Sequence, residues 1–154
     1  MPPAVVGRER ELEALRALVQ GGGSLVLRGE PGVGKSTLLE LTAESAIEHG
    51  VEVLRTVGVE SEAHLPFGGL HHLLRPLLAA VEALPVRQRD ALMAAFGMGA
   101  VTAPPEIFLI GLASLDLLAE RASGSRVLVV VEDAHWLDGP SCDVLAFIAR
   151  RIEL

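Results

Sequence analysis

The residues best equipped for chemistry lie in one stretch, Gly29-Glu30-Pro31-Gly32-Val33-Gly34-Lys35-Ser36-Thr37. From Gly29 to Ser36 it matches G-x-x-x-x-G-K-[ST], the Walker A pattern, in full. Glycines let successive backbone N–H groups turn inward as an anion nest, and the N-terminus of a following helix adds its dipole. In such a loop Lys35 reaches the β- and γ-phosphates of a nucleotide, and the Ser36 hydroxyl ligates Mg²⁺. ATP and Mg²⁺ are the expected ligands, with Gly29 through Thr37 around the phosphates. The bland alternative, a glycine-rich turn between strand and helix, leaves a complete match to coincidence. Residue usage sharpens the point. The chain has no Asn and no Tyr, as a GC-rich genome would favour, and its single lysine is Lys35.

A second stretch, Val127-Leu128-Val129-Val130-Val131-Glu132-Asp133, is an apolar strand ending in two carboxylates, the Walker B pattern. In P-loop enzymes one such acid holds Mg²⁺ and a neighbour can polarise the attacking water. Strand ends often carry acids, so this signal draws its weight from the glycine loop. The candidate catalytic residues are thus Lys35, Glu132 and Asp133, and the candidate metal ligands Ser36, Glu132 and Asp133. The remaining polar or reactive residues read as structural. His64, His71 and His72 lack the i, i+4 spacing of a helical zinc pair. Trp136 is expected to anchor the helix that follows it, and Cys142 to be a small core residue.

These residues need an α/β frame. Residues 8–20 read as an amphipathic helix with Leu12, Leu15, Leu18 and Val19 on one face, stopped by Gly21-Gly22-Gly23. Residues 24–28 read as a buried strand entering the glycine loop, and 36–49 as a helix ending at Gly50. Residues 51–59 form a second strand, with Val51, Val53, Val57 and Val59 sharing a parity. Helices are predicted over 67–81 and 86–96, split by Leu84-Pro85; the first carries the core stripe Leu70, Leu73, Leu74, Leu77 and Leu78. After a loop over 97–105, a helix over 105–123 starts with a proline in its first turn. The β-branched run 126–131 fits a parallel strand covered on both faces, and Asp138 caps a last helix reaching about Arg151. Strands alternating with helices predict a three-layer P-loop fold with a parallel sheet.

Composition sets outer bounds. The 154 residues suit a single domain spanning 1–154, half of them apolar. A net charge of −7 with scattered arginines argues against direct nucleic-acid binding by this segment. No apolar run reaches the roughly 18–20 residues of a membrane span. Met1-Pro2-Pro3 opens no secretory signal, and the lone Cys142 agrees with a reducing compartment, so the cytoplasm is expected.

Glu132-Asp133-Ala134-His135-Trp136-Leu137-Asp138 resembles the extended acidic box of the LuxR-type, MalT-like signal-transduction ATPases of the AAA-related STAND group. Val6-Gly7-Arg8-Glu9-Arg10-Glu11-Leu12 is similar to their amino-terminal box beside the adenine, which adds Gly7 and Arg8 to the candidate nucleotide contacts. Leu65-Pro66-Phe67-Gly68-Gly69-Leu70-His71-His72-Leu73-Leu74 resembles a stretch between their two nucleotide motifs. The resemblance implies an ATP-dependent switch of a bacterial regulator, followed in that family by a sensor strand, a helical lid and a DNA-binding helix-turn-helix, none of them expected here. It also implies an incomplete sheet, with a gap between the strands at 24–28 and 126–131, and self-association or the rest of a larger regulator as partner. One departure is Glu132, where the family usually has Asp; the metal role is assigned to the pair. The alternatives are a small P-loop phosphotransferase and a non-catalytic ATP-binding fragment.

Overall fold

The computed structural model describes residues 7–100 and 103–152. Val6 of the amino-terminal box and residues 101–102 of the predicted loop lie outside them. The elements run α1 (Glu9–Gly21), α2 (Lys35–Glu48), β1 (Glu52–Val57), α3 (Gly68–Leu74), α4 (Val86–Ala95), α5 (Ile107–Gly124), β2 (Val127–Glu132) and α6 (Gly139–Ala149). Strands β1 and β2 pair in parallel from Glu52–Val127 to Val57–Glu132, so their carboxyl ends lie side by side.

Alternation along β1 defines two faces. Leu54 and Thr56 are buried, and the Thr56 hydroxyl donates to the Gly69 carbonyl (2.9 Å) at the start of α3. Arg55 points the other way and meets Glu40 of α2 at 2.7 Å. Helix α2 therefore covers one face of the strand pair, and α3 with the larger core covers the other. The predicted parity fails toward the strand's end: Val51 is buried, but Val57 and Val59 are exposed, because the bulk of the core lies under Leu54 and Thr56.

That core gathers Leu70, Leu73, Leu74 and Leu77 with Leu92, Ile110, Leu117, Val144 and Phe147, so the predicted leucine stripe is interior. Gly111 lets α5 approach α6 closely, since a Cβ there would lie 2.7 Å from the Phe147 ring. The single helix predicted over 67–81 is instead α3 followed by a 3₁₀ segment, Arg75–Ala83. Pro76 has no N–H to donate back along an α-helix, and the chain tightens there. Helix α5 begins after Pro105 rather than at it, with Glu106 as its N-cap.

The largest correction concerns residues 24–28, predicted as a buried strand. They form no strand, and Leu25 and Val26 are 39% and 76% exposed. Their apolar run suits a sheet interior, but among the described residues β2 pairs with β1 alone and no strand lies beside 24–28. A ladder of backbone hydrogen bonds from a neighbouring strand is what turns such a run into a strand, and among the described residues no strand offers one. Arg126 still ties the start of β2 to the end of α1, donating to the Val19 carbonyl at 3.0 Å.

Candidate functional site

The glycine loop turns directly into α2. Gly32 (φ +81°) and Gly34 (φ +89°) take the left-handed conformation that side-chain-bearing residues avoid, and Gly34 is the N-cap. Its carbonyl already accepts from Leu38 N–H (3.1 Å), so the helix starts immediately after the loop. Lys35 folds over that loop, its ammonium donating to the Gly29 and Glu30 carbonyls at 2.7 and 2.8 Å. An ammonium has three donors, so one is left to face an anion. Glu30, Pro31, Ser36 and Thr37 are exposed.

Arg8 braces the loop from α1. Its guanidinium donates to the Val33 carbonyl and pairs with Glu11 at 3.1 Å. Gly7 is exposed, and its N–H donates to Glu9 (3.2 Å). Of the two residues added by the amino-terminal box, Arg8 thus reaches the glycine loop, while Gly7 bonds to Glu9 at the start of α1.

Glu132 closes β2 and Asp133 follows it in a left-handed conformation (φ +45°). Arg55 links this end to the loop helix: it bonds Glu40 of α2 and lies 4.0 Å from Glu132. The Arg55 hydrogen bond holds the Glu40 carboxyl below its usual range, and Glu40, with a smaller contribution from Glu132, holds Arg55 above its own. An arginine between the apolar positions Leu54 and Val57 was the sequence signal for this contact, and parity alone passed it over.

A small cleft between the exit of β1 and the turn after β2 is lined by Gly58, Glu62, Gly69, His72, Trp136 and Leu137. Trp136, expected to anchor α6, is 38% exposed, whereas Leu137 beside it is buried against Gly69. Asp138 caps α6 as predicted, accepting from Ser141 N–H at 2.9 Å. It also accepts from the N–H groups of Phe67 (2.7 Å) and Gly69 (3.0 Å), contacts invisible to local pattern. Burial pushes the Asp138 carboxyl up, but hydrogen bonds from Gly69, Ser141 and Phe67 together leave it below the ordinary value. Cys142 is partly buried, and burial pushes its thiol up, away from thiolate chemistry.

The family model described as an AAA ATPase domain matches residues 4–154. The chain belongs to this family. An AAA ATPase domain is a P-loop module that binds ATP, typically with Mg²⁺, and the helices around a parallel strand pair agree with that fold. No curated protein and no solved structure matches the chain. Among the described residues no group of three His, Cys, Asp or Glu side chains could hold a metal. Ser36 carries an exposed hydroxyl at the start of α2, and Glu132 and Asp133 stand at the end of β2. No helix among the described residues is long and apolar enough to cross a membrane.

Proposed function

We infer that this chain is the ATP- and Mg²⁺-binding switch module of a bacterial signalling or transcriptional regulator of the LuxR-type, MalT-like kind, acting in the cytoplasm. The observation that carries this reading is the glycine loop, with Gly32 and Gly34 left-handed and α2 starting at Lys35. In this role the loop from Gly29 to Thr37 cradles the phosphates, Lys35 neutralises them, and Ser36 with Glu132 and Asp133 would hold Mg²⁺. The metal supplies charge stabilisation on the transferred phosphoryl group. Arg8 acts chiefly by holding the Val33 carbonyl, which keeps the loop in shape. Residues 1–154 serve as one domain, and nucleic-acid contact is left to other parts of the regulator. The partner is the remainder of that larger protein, for which the exposed Leu25 and Val26 offer an apolar contact.

Equilibrium titration of ATP, with and without Mg²⁺, tests the assignment. Wild type binds, and Lys35→Ala weakens triphosphate binding at least about tenfold, the scale of one lost charge-assisted contact. Equal affinity in a folded Lys35→Ala variant overturns the site.

A further inference from the structure

Asp133 leaves β2 in a left-handed conformation (φ +45°, ψ +46°), which a residue with a Cβ adopts only at a cost. Such a conformation persists only where its surroundings over-determine it, and here they do so from two sides. The chain from Asp133 closes on itself first, through Trp136 N–H to the Asp133 carbonyl (2.8 Å) and Leu137 N–H to the Ala134 carbonyl (3.2 Å).

The exit of β1 presses on one side of this turn. Gly58 N–H donates to the Glu132 carbonyl at 2.9 Å. A Cβ on Gly58 would lie 2.2 Å from the Asp133 carbonyl oxygen, 2.7 Å from Leu137 N and 2.8 Å from the Trp136 carbonyl carbon. All three are backbone atoms, so nothing flexible can yield.

On the other side stands Asp138, 3% exposed. One carboxylate oxygen accepts from Phe67 N–H and Ser141 N–H, the other from Gly69 N–H. Phe67 is itself left-handed (φ +62°), and the same short segment is fastened twice more, by Leu70 N–H to the Ser141 hydroxyl (2.8 Å) and by Thr56 to the Gly69 carbonyl. Leu137, the residue between turn and carboxylate, is wedged on Gly69, where a Cβ would come within 2.5 Å of its Cδ1.

We propose that Asp138 is a positioning residue for the acids at the end of β2: by pinning the start of α3 to the start of α6, it clamps the turn from Asp133 to Leu137 against Gly58 and so sets where Asp133 points. Its own carboxylate is engaged by three backbone N–H groups and by the neighbouring Ser141 hydroxyl. The proposal rests on the reading of Glu132 and Asp133 as the metal-facing acids.

Trp136, the chain's one tryptophan, sits inside the clamped turn and reports on it by fluorescence. The full chain is titrated with ATP in the absence and presence of Mg²⁺, following affinity and Trp136 emission. Asp138→Asn keeps the shape of the side chain but turns an N–H₂ toward a donor; Gly58→Ala displaces the same turn from the opposite side without touching Asp138. Both variants keep Mg²⁺-free ATP affinity within about twofold and lose about tenfold or more of the gain that Mg²⁺ brings, with altered Trp136 emission. Ser114→Ala, which removes a buried hydroxyl bond to the Ile110 carbonyl inside α5 and touches neither the turn nor Asp138, keeps the gain. A Mg²⁺ gain retained by both turn variants overturns the proposal, as does an equal loss in Ser114→Ala. Should Asp138→Asn fail to melt cooperatively, Gly58→Ala decides alone. A wild type that binds ATP with no gain from Mg²⁺ refutes the acid assignment and this inference together, whereas wild-type affinity in Lys35→Ala refutes the loop assignment instead.

Discussion

Removing the Asp138 carboxylate is the sharpest test of how the two halves of the core are joined. In Asp138→Ala the N-cap of α6 is lost, which costs about 1 kcal/mol on its own. Phe67 N–H and Gly69 N–H also lose their acceptor, and each donor left unsatisfied in a buried setting costs about 1–3 kcal/mol. Removing a buried charge returns part of its desolvation cost, so the net loss comes to about 3–5 kcal/mol. Against a domain stability of about 5–15 kcal/mol, that is a large fraction. For a chain of this length each kcal/mol shifts the melting temperature by about 2–4 °C, so a drop on the order of 10 °C is expected. Urea unfolding followed by far-UV circular dichroism measures it, with the midpoint falling and the slope unchanged. Ser141→Ala, which breaks the bond from Leu70 N–H and removes a hydroxyl beside the Asp138 carboxylate, should cost about 1–2 kcal/mol in the same assay. A loss below about 1 kcal/mol for Asp138→Ala would mean that the three N–H groups find other acceptors, and the reasoning fails.

Further outcomes follow from other parts of the molecule. Because its folded carboxyl lies below the ordinary value, Asp138 contributes stability that is complete above that value and lost as pH falls through the lowered one. The stability gap between wild type and Asp138→Ala should therefore narrow in acid; a gap that widens on acidification contradicts the assignment. Gly111→Leu should destabilise by about 1–3 kcal/mol or more, since even a Cβ meets the Phe147 ring at 2.7 Å, and a neutral result in thermal melts would show that α5 and α6 are not so close. On the proposed function, Asp133→Asn should lower ATP turnover more than ATP affinity, while Glu132→Gln should weaken Mg²⁺ binding; turnover equal to wild type in Asp133→Asn removes its catalytic role.

Local pattern made much of this protein readable from the sequence. The glycine loop, the start of α2 at its end, the β-branched strand with acids after it and the Asp138 cap all depend on residues within a few positions of one another. Their conformations follow from steric and hydrogen-bonding rules that act at that range: left-handed glycines, an N-cap carboxylate, a run of valines. The leucine stripe of α3 was legible for the same reason, since helical period alone puts Leu70, Leu73 and Leu74 on one face. Tertiary structure decided the rest. Whether residues 24–28 become a strand depends on a neighbour to bond with, not on their own apolarity; among the described residues β2 pairs with β1 alone, and Leu25 and Val26 stay exposed. Which parity of β1 is buried was set by the mass of helices packed beneath Leu54 and Thr56, so Arg55 ended beside Glu40 and Glu132. The second use of Asp138 was equally hidden, because Phe67 and Gly69 lie some seventy residues before it in sequence. A carboxylate can satisfy more donors than its own helix offers, and only the packed chain shows which distant N–H groups it takes.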